Sequence, residues 1–309
     1  MDTFLQQLIN GLVLGSVYAL VALGYTMVYG ILELINFAHG EVTMIGAMVA
    51  LSVISALVGA HVDLPGIAIV LVGVLAAIPA CMLLGFTIER VAYRPLRHAP
   101  RLAPLITAIG VSILLQNLAM IIWGRQYLSF PPILPRTTYH LGGATLSALQ
   151  IFIFVLSLVL MAGLIILVQK TKLGRAMRAT AQSPQVAGLM GVNINSVISL
   201  TFIIGSALAA VAGVMVSAYY GIAHYYMGFL LGLKAFTAAV LGGIGNLGGA
   251  MLGGLLLGVI ESMGAGYIGD LTGGFMGSNY QDVFAFFVLI LVLVFRPSGL
   301  LGERVGERA

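Results

Sequence analysis

Residues 170–195 read KTKLGRAMRATAQSPQVAGLMGVNIN, and the rest of the chain is arranged around this stretch. It lies between two strongly apolar runs. Lys170, Lys172, Arg175 and Arg178 give it four positive charges and no acid balances them. Ser183 followed by Pro184 reads as a helix start. A Ser hydroxyl accepts from free backbone N–H groups, and Pro fits the first helical position. Gly191 suits the stop, where a left-handed residue is wanted. Between them, Val186, Leu189 and Met190 share one face at helical spacing. Two readings stay open on the residues alone. The stretch is a short helix on the cytoplasmic side, offered to another protein's groove, or a basic loop that only orients membrane spans.

Only 8% of the 309 residues are charged and 60% are hydrophobic, whereas soluble domains carry about 25% charged residues. The composition is that of an integral membrane protein in a lipid bilayer. Forty glycines fit helices packed closely in a membrane. The net charge of +4 carries no nucleic-acid signal, because the basic residues sit at the edges of apolar runs. Cys81 is the only cysteine, so no internal disulfide forms, and its apolar setting predicts a buried, inert thiol. The first basic residue is Arg90, so the sequence predicts no cleavable signal peptide.

Eleven of the fourteen basic residues fall in three clusters: Arg90, Arg94, Arg97 and Arg101; the opening stretch; and Arg296, Arg304 and Arg308. The positive-inside rule puts all three in the cytoplasm. Apolar segments are read at 5–29, 31–59, 66–88, 104–123, 150–168, 195–219, 229–241, 249–265 and 282–295. The second opens with the polar string Asn36 to Glu41. The two segments 229–241 and 249–265 are short, and a glycine-rich stretch, 242–246, separates them, read as a tight turn ahead of a break whose freed backbone groups line a cavity. Nine crossings keep the count between clusters even; eight result if one short segment is re-entrant. The N-terminus is then on the outer side of the membrane and the C-terminus cytoplasmic. Residues 124–148 form a polar outer loop with Pro131, Pro132, Pro135, Arg125 and Arg136. Trp123, Tyr127, Tyr219, Tyr220, Tyr225 and Tyr226 fit interfacial belts, and His61, His98, His140 and His224 read as isolated, solvated loop residues.

Gly11, Gly15, Ser16, Ala19 and Ala22 mark a close-packed face. Gly15-Ser16-x-x-Ala19-x-Val21-Ala22 recurs as Gly205-Ser206-x-x-Ala209-x-Val211-Ala212, and a Tyr-Gly-Ile follows each copy. By the topology above the copies run in opposite senses, an inverted repeat of the kind transporters use. The expected fold is an all-α integral membrane protein. It is one membrane domain over residues 1–309, a polytopic bundle of about eight or nine transmembrane helices with its cytoplasmic loop at 170–195.

Charge inside a bilayer costs roughly 3 kcal/mol on insertion scales, so such residues face a cavity or a partner. Asn36, His39 and Glu41 are therefore candidates to line a solute path, with Gly40 permitting a helix break. An interfacial turn with carboxylates near a helix N-terminus is the plainer alternative. Lys234 lies in an apolar segment and Glu261 in the next. They pair, or Lys234 snorkels to the surface. Lys234 and Thr237 join the candidate path. No set of His, Cys or carboxylate residues has metal-ligand spacing. No G-x-x-x-x-G-K-[ST] is present, so any ATP-driven motor is another polypeptide. No nucleophile–base motif supports an intramembrane hydrolase.

Four landmarks carry a family resemblance: GYTMVYG at 24–30, INFAHGE at 35–41, ERVAYRP at 89–95 and FTAAVLGGIG at 236–245. With them the chain resembles, over nearly its whole length, the LivH-type permeases of branched-chain amino acid ABC importers. The resemblance implies a bacterial inner-membrane permease with a LivM-like second permease subunit, two ABC ATPase subunits and a periplasmic substrate-binding protein. No cofactor is expected on this chain; ATP and Mg belong to the ATPase subunits. Leucine, isoleucine or valine would cross by alternating access. It further implies that 183–191 is the helix that enters an ATPase groove. Arg175, Arg178, Gln182, Ser183, Pro184, Val186, Gly188, Leu189 and Gly191 are its coupling residues. Family segments carry an acid just before this helix's Ala-Gly part; here Gln182 and Gln185 stand in that neighbourhood. The alternatives are the same scaffold carrying urea, short amides or other amino acids, or an autonomous ion-coupled carrier or channel. The scarcity of acids within spans argues against the last.

Overall fold

The computed structural model describes residues 2–97, 99–100, 102–134, 137–141, 143–275 and 280–302. His98, Arg101, Pro135, Arg136, Arg304 and Arg308 lie outside the described residues. The apolar segments fold as helices: α1 (Asp2–Leu32), α2 (His39–Gly59), α3 (Gly66–Ile88), α4 (Leu102–Trp123), α5 (Ala148–Lys170), α8 (Ile194–Tyr220), α9 (Met227–Gly242), α10 (Leu247–Leu271) and α11 (Gln281–Phe295). The polar stretch before α8 forms α6 (Lys172–Gln182) and α7 (Pro184–Leu189). Among the described residues, seven helices are long and apolar enough to cross a membrane. The 16 residues of α9 rise about 24 Å, short of a bilayer's ~30 Å core.

Several expectations need correction. The segment read at 249–265 is part of a 25-residue helix, α10, long enough to cross on its own. Its many glycines weaken hydropathy without ending the helix, because they are where it meets α1. Gly40 does not break a helix. The chain breaks over 33–38, where Glu33 takes a positive φ of 53°, and Gly40 lies inside α2. Its missing side chain lets α2 lie on α9: a Cβ there would stand 2.7 Å from Gly232 Cα. The outer loop carries short strands. β1 (Leu128–Ser129) pairs antiparallel with β4 (Ile222–Ala223), and β2 (Thr138–Leu141) with β3 (Ala144–Ser147). His224 is not isolated. It stacks on Tyr127 at 4.4 Å and reaches the Arg125 carbonyl at 3.1 Å. Residues 172–182 are helical, with Thr171 Oγ1 accepting from the Gly174 N–H at 3.1 Å.

Small residues set the packing. Along the α1–α10 seam, a Cβ at Gly11 would stand 2.6 Å from Val259 Cα, and one at Gly15 2.8 Å from Leu255 Cα. Gly254 faces Ala19 in the same way. Backbones approach this closely only where side chains are absent, and dispersion then holds the pair. Cys81 is fully buried, its thiol 3.4 Å from the Val42 carbonyl.

The helices repeat their neighbours. α1 packs on α10 and α9, while α8 packs on α3 and α2. α2 lies on α3 as α9 lies on α10, and the two halves meet where α1 touches α8 and α2 touches α9. The described members of all three basic clusters gather at one end. There Tyr93 bonds Asn36, Arg97 bonds Asn195, and the Leu300 and Leu301 N–H groups reach the Leu241 and Gly242 carbonyls at 2.9 Å. At the other end Gln6 Oε1 accepts from the Thr145 N–H at 2.8 Å. α1 therefore finishes at the end where α8 starts, so the halves are inverted.

Candidate functional site

Asn36 organises the break between α1 and α2. Its Oδ1 accepts from the Ala38 N–H at 3.2 Å, and its backbone carbonyl accepts from the His39 N–H at 3.0 Å. A short amide side chain that bonds two residues ahead imitates a backbone turn. The Tyr93 hydroxyl donates to the same Oδ1 at 3.1 Å. Two sequence landmarks distant in the chain thus meet at one oxygen.

His39 fits a notch between α1 and α8. Its ring fills the space that a Gly24 side chain would take, and a Cβ at Gly205 would stand 3.6 Å from Cε1. Tyr25 meets it edge-on at 5.0 Å. The ring is buried, and among the described residues its Nε2 has no hydrogen-bond partner. Glu41 faces the other way, towards α4 and α9. Its Oε1 accepts from Gln116 Nε2 at 2.7 Å and Ser112 Oγ at 3.1 Å. Among the described residues its Oε2 is buried without a partner, beside Gly228. Residues two apart on a helix point to nearly opposite sides, so His39 and Glu41 cannot face one channel wall.

Thr237 is buried on α9 and donates to its own helix, to the Leu233 carbonyl at 2.8 Å. Phe236 next to it meets Tyr25 and Phe37. Lys234 points away from this group. Its ammonium stands 2.7 Å from Glu261 Oε1 and 2.8 Å from Asp282 Oδ1. Of the two sequence readings, the buried pair holds. The structure therefore gathers Asn36, His39, Glu41 and Thr237 around the junction of α1, α2 and α9, facing different helices, and sets Lys234 apart.

The second candidate region is the α6–α7 corner. Thr171 starts α6, and the Arg178 guanidinium donates to the Val168 carbonyl in the last turn of α5. A cation at a helix C-terminus satisfies an orphan carbonyl and the helix dipole. Arg175, Arg178 and Gln182 are all exposed, and of the three Arg178 is the one tied to α5 by this bond. Ser183 Oγ accepts from the Val186 N–H at 3.4 Å, Pro184 takes the first position, and Gly191 closes the turn at a φ of 87°. Ala187 packs inward. Val186, Leu189 and Met190 are 57%, 87% and 81% exposed, and Gly188 beside them is exposed too. The tip is apolar and lies at the basic end of the bundle.

Sequence reasoning missed the partners of Glu41, Ser112 and Gln116. It also missed a network at the end of α3, where Glu89 pairs with Arg97 and accepts from Ser199 Oγ at 2.6 Å. Polar residues inside apolar runs were the available signal. Their partners were not readable, because they lie on other helices.

With this geometry in view, comparisons with known proteins agree over the full length. The family profile described as branched-chain amino acid transport system / permease component matches residues 7–293. The chain is 50% identical to the high-affinity branched-chain amino acid transport system permease protein BraD of Pseudomonas aeruginosa, covering 99% of this chain and 98% of the relative. It is 45% identical to the permease protein LivH of Escherichia coli, covering 99% and 97%. The probable LivH of Methanocaldococcus jannaschii is 28% identical over 95% of this chain and 91% of its own length. No solved structure matches.

Proposed function

The chain belongs to the family of branched-chain amino acid transport permease components, and from that membership we propose that it is the subunit through which an ATP-driven importer passes leucine, isoleucine and valine. The observation that carries this reading is the 50% identity, end to end, with a permease named for that transport. Both hydrophobic composition and helical architecture fit a conduit. No phosphate-binding G-x-x-x-x-G-K-[ST] occurs in the sequence, so ATP and Mg act on partner ATPase chains.

The basic end faces the cytoplasm in this proposal, which puts the N-terminus in the periplasm. Two ATPase subunits dock there, one of them gripping this chain through α7, whose apolar tip of Val186, Leu189 and Met190 is exposed. A periplasmic binding protein delivers substrate to the opposite end, and a LivM-like permease completes the membrane part. ATPase closure moves α7. The inverted halves then rock about their shared contacts, opening the junction around Asn36, His39, Glu41 and Thr237 to one side and then the other. The buried, unpartnered Oε2 of Glu41 supports a role there, since such an atom is costly without a partner.

The test is reconstitution. Liposomes carrying both permease chains and the ATPases, supplied with binding protein, should accumulate radiolabelled leucine only with ATP, and isoleucine and valine should compete. Uptake that ignores ATP, or that this chain sustains alone, would overturn the reading.

A further inference from the structure

Glu89 is fully buried although it sits at the end of a span. One carboxylate oxygen pairs with the Arg97 guanidinium, and the other accepts from Ser199 Oγ at 2.6 Å. The second arm of Arg97, Nη1, donates to Asn195 Oδ1 at 2.6 Å. Asn195 and Ser199 lie one turn apart at the start of α8. That start is the corner that follows α7. The Val192 N–H bonds the Ala187 carbonyl of α7 at 3.0 Å, Ile194 lies under Gly188, and Asn193 caps α8 by accepting from the Ser196 N–H at 3.2 Å. On its other side, Glu89 opens the π-helical turn Glu89–Tyr93. Tyr93 closes that turn, packs on Phe202 at 5.2 Å, and donates to Asn36 Oδ1. A π turn is wound more loosely than an α turn and is frequent at functional sites.

We propose that Arg97 is a positioning residue that carries the movement of α7 to the α1–α2 break. Its planar fork joins Asn195, at the corner after α7, to Glu89 and the π turn whose Tyr93 holds Asn36. The proposal rests on the functional reading that α7 is the element the ATPase moves. A guanidinium presents two nitrogens in fixed directions, so it holds both partners in one geometry. An ammonium in its place reaches Glu89 but cannot also fix Asn195. Charge at this site therefore serves stability, and the fork serves transmission. A contiguous set of contacts is not by itself a coupling path, so the evidence required is non-additivity.

The experiment uses the complete importer in liposomes: both permease chains, the ATPase pair and the binding protein. Leucine uptake and ATP hydrolysis are measured together. Arg97→Lys should leave the ATPases bound while raising ATP consumed per leucine roughly tenfold, within the range of typical coupling energies. Asn195→Ala should do the same, and the double variant should be no worse than the worse single one. Should Arg97→Lys fail to assemble, Asn195→Ala carries the test. An unchanged ratio, a proportional loss of uptake and hydrolysis, or effects that multiply in the double variant would overturn the proposal. Wild-type liposomes without ATP-driven uptake would instead overturn the functional reading, and this proposal with it.

Discussion

The Lys234 ammonium on α9 stands 2.7 Å from Glu261 Oε1 on α10, with both side chains largely removed from solvent. Asp282 on α11 completes the contact at 2.8 Å. A lone charge at this depth would be expensive, and the pairing makes three helices compatible with the membrane. The cluster is a strut between helices and lies apart from the α1–α2 junction.

Removing Lys234 alone should therefore cost more than removing Lys234 and Glu261 together. Lys234→Met leaves the Glu261 carboxylate uncompensated, a loss of about 3–5 kcal/mol. Adding Glu261→Gln should recover much of it. Thermal unfolding of the purified protein in detergent measures both; equal destabilisation by the single and double variants would count against the strut.

The apolar tip of α7 predicts a separation of insertion from assembly. Val186→Asp with Leu189→Asp should leave the permease in the membrane, because both side chains are exposed. The ATPases should no longer co-purify. Normal co-purification would remove α7 from the proposed interface.

Asn36 serves two donors with one oxygen, the Ala38 N–H and the Tyr93 hydroxyl. Asn36→Leu orphans the Ala38 N–H, at about 1–3 kcal/mol for a buried group left unpaired, and leaves the Tyr93 hydroxyl only its long 3.4 Å contact with the Ile35 carbonyl. Tyr93→Phe removes only the hydroxyl and should be milder. Leucine uptake should fall in the same order, and Tyr93→Phe should add little on top of Asn36→Leu. Independent effects would mean that the 3.1 Å bond does not matter to transport.

Orientation is open to chemical labelling, since Cys81 is fully buried and should stay silent to a membrane-impermeant maleimide until denaturation. Met190→Cys should label from the cytoplasmic side only. Asp63→Cys, in the exposed turn between α2 and α3, should label from outside only. The reverse pattern would invert the proposed topology and remove α7 from reach of any ATPase.

Much of this was legible from residues in order. Ser183, Pro184 and Gly191 act through the backbone within a few positions, so their helix start and stop could be read directly and are found. Lys234 and Glu261 are charges in apolar runs, and few partners were available to each. Gly11, Gly15 and Ala19 announced a close approach, which α10 provides. The role of Gly40 was misread because a glycine permits a break and a tight crossing equally well. Helix α6 was missed because its polar face and short length give no membrane signal.

Amino-acid order by itself determined that this chain spans a membrane, roughly where its apolar helices lie, which end is basic and which short helix is capped. Those properties follow from hydropathy, charge and local capping, all of which act along the chain. Only the tertiary structure decided which face of each helix is buried, that His39 and Glu41 point to different neighbours, and that Arg97 bridges Glu89 and Asn195. The physical reason is that lipid and protein interior are about equally apolar. A helix that is greasy all round carries no periodicity to tell one from the other, so close packing and a few polar contacts make the choice.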